Sequence, residues 1–238
     1  FVFIFAYILH KQLSFKENAK VGVAIYAKRN ENTHGIFQKI GIFPDFIHVD
    51  IVDKTFVENE VDQNFYQFKL IKTFWKKHEI HVHVMSKKPS AWIKQIANYA
   101  DIIFIHYEID ENIDDVKKLI IDSGCKPGIV LHGIRNYVDE LKKISESFKE
   151  IMVLCIEKAG YSGQKFFEGS YVLIEKLNKL KNRKNFNLHV DGGVNAGNIK
   201  TIKAQYVTSG SGVLNSLDPK NEIMILKTFG KYSKYGNK

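Results

Sequence analysis

Strict alternation of apolar and polar side chains runs through residues 46–53, FIHVDIVD. His48, Asp50 and Val52 share one face and Ile47, Val49 and Ile51 the other, which is the period of a β-strand. The same period aligns His81, His83 and Met85 in IHVHVM at 80–85, and puts His189 and Asp191 on one face of LHVDGGVN at 188–195. Between such runs the period changes. VGVAIYA (21–27) predicts a buried strand, HGIFQKIG (34–41) a short helix ended by glycine, and FYQFKLIKTFWKKH (65–78) an amphipathic helix whose Phe and Trp residues read as core. PSAWIKQIANYA predicts a third helix, with Pro89 placed to open it. DIIFIHYE, NIDDVKKLIIDSG, KPGIVLHG, YVDELKKISESF, EIMVLCIE, YVLIEKLNKLK, NFNLHVDGG, GNIKTIKA, YVTSGSGVL and NEIMILKTFGKY continue the order. Eight strand-like runs alternating with eight helix-like ones predict an α/β protein, a single (β/α)8 TIM barrel. An open doubly wound sheet is the alternative topology. No linker or low-complexity tract divides the chain: residues 21–238 read as the barrel, and residues 1–20 as an N-terminal extension or connecting segment. The first residue is Phe rather than Met, which raises the expectation of a longer polypeptide.

Composition narrows the partners. The 238 residues, 45% of them hydrophobic, suffice for one large core. The formal net charge of +9 suits anionic ligands such as phosphorylated metabolites. Basic residues are scattered over helix-face positions such as Lys142, Lys143, Lys176 and Lys179, without a run interleaved with aromatics, so nucleic acid is not an expected partner. Two cysteines, Cys125 and Cys155, show no paired spacing and point to a reducing cytoplasm. The opening FVFIFAYIL is too short for a span, which needs about 20 apolar residues. No membrane partner is expected.

Candidate chemistry follows from the strands. In a barrel of this kind the loops after the strands form the functional face. Asp50, His83, Glu108, the AGYSGQ loop, Asp191 with Gly192 and Gly193, and Ser209, Gly210 and Ser211 all fall at strand C-terminal ends or just beyond. Taken singly, each histidine reads as a core residue. Taken together, several titratable groups buried on facing strands are costly unless they pair or hold an ion. Two imidazoles and two carboxylates are the right donors for a divalent cation with mixed nitrogen and oxygen coordination. The two glycine-containing loops near the end of the chain sit where barrels commonly hold a phosphate.

Seven segments, in order, resemble the ribulose-phosphate 3-epimerase family over residues 21–219. The family's HxDxMDGxFVPN is similar to HVDIVDKTFVEN at 48–59, its DxHLMVxxP to HVHVMSKKP at 81–89, and its ADxxxxHxE to ADIIFIHYE at 100–108. KPGIVL (126–131), GYSGQKF (160–166), VDGGVN (190–195) and SGS (209–211) complete the series. The resemblance implies a divalent metal, Zn, Fe, Mn or Co, held by His48, Asp50, His83 and Asp191. It also implies that Asp50 and Asp191 are the acid/base pair on opposite faces of a ketose phosphate, one removing the C3 proton and the other returning one through an enediolate. Gly192, Gly193, Gly210 and Ser211 would hold the phosphate, Gly163 would belong to the flap over the site, and Met85 would cushion the reacting carbon.

The chain also departs from the family pattern. Ala24 stands for a first-strand serine, Val52 and Leu154 for methionines, Lys54 for a glycine and Glu58 for a proline. HGIRN at 132–136 replaces an asparagine-proline segment, the loop EKAGYSGQ is one residue longer with Ser162 for glycine, and His81 and His189 replace inner-strand acids. These two histidines read as a related pair tuning the inner barrel layer. The expected activity is epimerisation of D-ribulose 5-phosphate to D-xylulose 5-phosphate. Alternatives are the same chemistry on a hexulose or heptulose phosphate, motivated by Lys54 and residues 132–136, and a non-catalytic barrel that binds a sugar phosphate. Oligomeric state, a homo-oligomer included, is left open.

Overall fold

The computed structural model describes residues 17–58, 62–137 and 139–233. Eight parallel strands close into a barrel: β1 (Lys20–Tyr26), β2 (Phe46–Val52), β3 (Glu79–Met85), β4 (Ile102–His106), β5 (Lys126–His132), β6 (Glu150–Leu154), β7 (Asn187–Asp191) and β8 (Tyr206–Ser209). Each pairs with the next in sequence, and β8 returns to β1 through Val207 and Val21. The eight α-helices among the described residues are α1 (Thr33–Ile40), α2 (Phe65–Phe74), α3 (Ser90–Ile96), α4 (Ile113–Asp122), α5 (Leu141–Ser147), α6 (Ser170–Asn178), α7 (Ser211–Leu214) and α8 (Pro219–Phe229). None is long and apolar enough to cross a membrane. Of the expected extension at 1–20, residues 1–16 lie outside the described residues, while Glu17 and Asn18 pair antiparallel with Tyr232 and Lys231.

The period-2 pattern sorts the strand side chains into two cores. Ile47, Val49, Ile51, Val82, Val84, Ile103 and Ile105 face outward and join the helices in one large apolar cluster that includes Trp75, Phe68 and Ile71. Trp75 is fully buried and its indole N–H donates to the Gly41 carbonyl at 2.7 Å. The inward residues Val52, Met85, Phe104, Val130, Met152 and Leu154 form a second, separate cluster inside the barrel. Helix starts are fixed locally. Asn32, Asn64, Asn112 and Asp218 each accept backbone N–H bonds at the first turn of α1, α2, α4 and α8, satisfying donors that a helix leaves unpaired. Pro89 directly precedes α3, where its missing N–H costs nothing.

The floor of the barrel is aromatic. His81 stacks on Phe46 at 4.2 Å and meets His189 at 5.5 Å, and His189 stacks on Tyr206 at 4.3 Å. The two inner-strand histidines thus do share one layer. His189 also sits 2.7 Å from Glu150, and burial lowers the His81 pKa to about 4. Gly22 and Gly128 make this layer fit: a β-carbon on either would lie 2.2 or 2.3 Å from the rings of Phe46 or Phe104.

One expected helix is absent. GNIKTIKA folds as turns over 196–201 instead. Asn195 accepts from the Gly197 N–H at 2.8 Å and Asn198 from the Asn195 N–H at 2.9 Å. These side chains offer the backbone local partners that compete with a helical ladder.

Candidate active site and metal centre

The parallel register brings the polar inward residues to one level. Asp50 on β2 is paired with His83 on β3, and Leu154 on β6 with Asp191 on β7. His48 lies two residues below Asp50 on the same face, so it enters the barrel beside them. His48, Asp50, His83 and Asp191 are all buried, and one donor atom from each lies within 4.8 Å of every other. His48 Nε2 is 3.1 Å from Asp50 Oδ1 and 3.7 Å from Asp191 Oδ2. His83 Nδ1 is 3.2 and 3.7 Å from the same two oxygens. Four donors set about 2.0–2.1 Å from an ion in a tetrahedron lie about 3.3 Å from one another. The four nitrogen–oxygen separations bracket that spacing, and both the donor chemistry and the burial fit a divalent ion.

The electrostatics agree. Burial alone would raise the Asp50 pKa, but His48 and His83 override it and hold the carboxyl well below the usual range. Burial likewise opposes charge on His83, yet the hydrogen bonds and charges of Asp191 and Asp50 lift it to about 9. Without an ion, a proton supplies the positive charge that these carboxylates require. An ion at the same place replaces it.

A cavity of about 220 Å³ opens above the cluster at the C-terminal ends of the strands. Asp50 and Asp191 reach it from the floor with Met85 and Leu154, while Gly192, Gly193, Gly210 and Ser211 line its other part and Gly163 its rim. His48 and His83 are fully buried beneath. The four candidate metal ligands, Met85 and the expected glycine-loop residues therefore converge on one place, whereas Glu108 and Ser209 do not line the cavity. Gly192 and Gly193 hold φ of 98° and 68°, which brings the turn after β7 close beneath Phe166. The loop after β6 is braced by Gln164, whose amide donates to the carbonyls of Lys158 and Tyr161 and accepts from the Lys158 N–H.

Similarity to known proteins follows the same outline. Residues 23–214 match the model of the ribulose-phosphate 3-epimerase family. The chain belongs to that family. It is 32% identical over 190 residues to ribulose-phosphate 3-epimerase of Helicobacter pylori, covering 74% of this chain and 82% of that one. It is 29% identical over 201 residues to the enzyme of that name from Buchnera aphidicola subsp. Schizaphis graminum, covering 82% and 86%. The solved structure of 3-hexulose-6-phosphate synthase from Salmonella typhimurium superposes with a TM-score of 0.66 at 15% identity, covering 88% of this chain and 97% of that one, which shows the shared fold. Like the ribulose-phosphate 3-epimerase family, this chain is an isomerase-type enzyme acting on a sugar phosphate through a barrel site.

Two features of this epimerase-family site were not evident from the sequence. Tyr26, at the end of β1, lines the cavity with its hydroxyl against Ser162. Burial and the charges of Asp50 and Asp191 raise its pKa, so it stays a neutral phenol. The alternation Gly22, Ala24, Tyr26 carries the signal, since the last inward residue of a barrel strand faces the functional end. The other is His106, fully buried against His83. Of the departures from the family pattern, Ala24, Leu154 and Ser162 line the cavity, whereas Lys54 and residues 132–136 do not. Val52 and Leu154 lie in the inner apolar cluster with Met85 and Met152, so the cluster stays apolar at both substituted positions.

Proposed function

We propose that the protein is a metal-dependent 3-epimerase interconverting D-ribulose 5-phosphate and D-xylulose 5-phosphate. The observation that carries this reading is the convergence of Asp50 and Asp191 on the floor of one cavity, with two imidazoles beneath them and glycine loops at its other end. In this reading His48, Asp50, His83 and Asp191 hold one divalent ion, Zn, Fe, Mn or Co. When bound, the ion supplies Lewis-acid stabilisation of the negative charge that develops on the substrate oxygens.

The side chains divide the remaining work. Asp50 and Asp191 arise from β2 and β7, on different sides of the barrel, and act on opposite faces of the ketose: one carboxylate takes the C3 proton and the other returns a proton from the far side. Each contributes about 10²–10⁴-fold as a positioned acid or base. Met85 and Leu154 keep the reacting carbon in apolar surroundings. Gly192, Gly193, Gly210 and Ser211 let backbone approach the phosphate closely, and Gly163 belongs to the loop that covers the site.

Proton NMR with D-ribulose 5-phosphate in deuterated water tests the reading. Loss of the C3–H signal together with appearance of xylulose 5-phosphate is expected. Exchange without the epimer defeats the two-carboxylate assignment, and faster turnover of a hexulose or heptulose phosphate moves the substrate to that alternative. Metal removal gives a separate check. Dialysis against a chelator is expected to abolish turnover and to lower the melting temperature, because a ligand bound only to the folded state stabilises it. Both are expected to return on adding zinc or cobalt.

A further inference from the structure

A directed hydrogen-bond chain leads away from the cluster on the far side of His83. His83 Nε2 lies 2.8 Å from His106 Nε2, with the two rings stacked at 5.0 Å. His106 Nδ1 lies 3.3 Å from Glu108 Oε2. The other carboxylate oxygen, Oε1, accepts a short bond from the Tyr137 hydroxyl and lies 3.5 Å from Arg135 Nε. Both histidines are fully buried, and the Glu108 side chain is only 7% exposed.

The far end of the chain sets the direction of every proton in it. The His132 backbone N–H donates to the Tyr137 oxygen at 2.9 Å, so the tyrosine's own proton points at Glu108. A carboxylate has lone pairs only, so the His106 Nδ1–H donates to it. Neutral His106 is then left with a lone pair on Nε2. One proton fits between two nitrogens 2.8 Å apart, and here it belongs to His83 Nε2. Once an ion replaces the proton that His83 otherwise presents to the carboxylates, Nδ1 faces Asp50 and Asp191 with its lone pair available. His48 is held differently, since its Nδ1 has no hydrogen-bond partner among the described residues.

We propose that His106 and Glu108, braced by Tyr137 and Arg135, are positioning residues that fix the orientation and tautomer of His83 so that Nδ1 is presented to a divalent ion. Such outer partners orient metal-binding imidazoles generally, and their loss typically weakens metal affinity about 10–100-fold. Arg135 falls within the HGIRN segment that departs from the family pattern, and Tyr137 directly follows it. The segment's altered residues thus serve the back of the cluster rather than the sugar cavity. The inference rests on the reading of the cluster as a metal centre, so cobalt uptake by the wild-type protein is measured first.

Glu108→Gln is the decisive variant. Tyr137 and Arg135 both donate toward Oε1, so the new amide oxygen turns to them and its NH2 group faces His106 Nδ1. That reverses the polarity of the chain and moves the His83 proton to the nitrogen that faces the ion. Chelator competition is expected to show cobalt affinity about 10–100-fold weaker in this variant, with a changed visible cobalt spectrum. Nitrogen-15 correlation spectra of the zinc-loaded wild-type protein are expected to place the His106 proton on Nδ1 and the His83 proton on Nε2, a readout that needs no variant to fold. A His106 proton on Nε2, or unchanged cobalt affinity in Glu108→Gln, overturns the relay alone. No cobalt uptake by the wild-type protein overturns the metal centre and the relay with it.

Discussion

Asp191→Asn is expected to lower turnover by about 10³-fold or more, because one substitution removes an acid/base group worth about 10²–10⁴-fold and weakens a metal ligand. The fold should survive. Asn is isosteric, and the backbone carbonyl of Asp191, which accepts the Cys155 N–H at 2.7 Å, is untouched. The side chain is 11% exposed at a strand end that opens onto the cavity, so its amide can be solvated. Steady-state kinetics on metal-saturated protein, paired with a thermal melt, checks both halves. Near-normal turnover in a variant that melts with the wild type would sink the two-carboxylate mechanism. Retained C3–H exchange without epimer would identify Asp50 as the base for that face of the substrate.

Gly193→Ala should act on stability and phosphate binding together. The residue holds φ at 68°, and an added β-carbon would lie 2.3 Å from the backbone nitrogen of Phe166 and 2.5 Å from its Cα. Neither neighbour can give way cheaply, since the Phe167 N–H is anchored on the Cys155 carbonyl at 2.8 Å. Left-handed strain and overpacking each cost about 1–3 kcal/mol, and a chain of this size loses about 2–4 °C of melting temperature per kcal/mol. A fall of roughly 4–24 °C is therefore expected from the two costs combined. The Michaelis constant for the sugar phosphate should rise in the surviving fraction, since Gly193 lines the cavity. A variant that melts with the wild type and keeps its Michaelis constant would show that this turn neither constrains the fold nor meets the phosphate.

The inner layer shows how much of the site was legible in the sequence. His48 and Asp50, His83 and Met85, and His189 and Asp191 could each be assigned a common face from alternation alone, because successive side chains of a strand point to opposite sides. Alternation along one strand does not say which residues of neighbouring strands lie level. The register pairs Asp50 with His83 and places His48 beside His81 one layer lower, so His48 reaches up to the centre while His81 joins the aromatic floor. Four histidines of identical pattern thus take different roles according to height in the barrel. The segment at 196–201 departs from its apolar pattern for a different reason. Its apolar spacing suits a helix, but the asparagine side chains that close its local bonds outcompete one.

By itself, the sequence determined the strand faces, the eightfold strand-and-helix order and, through motifs carried in order, the family and the four candidate metal ligands. These rest on local periodicity and residue identity, which a linear chain displays directly. Tertiary structure alone decided the contacts made across distant segments. Tyr26 enters the cavity from β1 to meet Ser162 beyond β6, and Tyr137 and Arg135 fold back from beyond β5 onto Glu108 at the end of β4. Such contacts depend on strand register and on how each loop returns over the barrel mouth. Both are set by packing of the whole closed sheet, which no local pattern encodes.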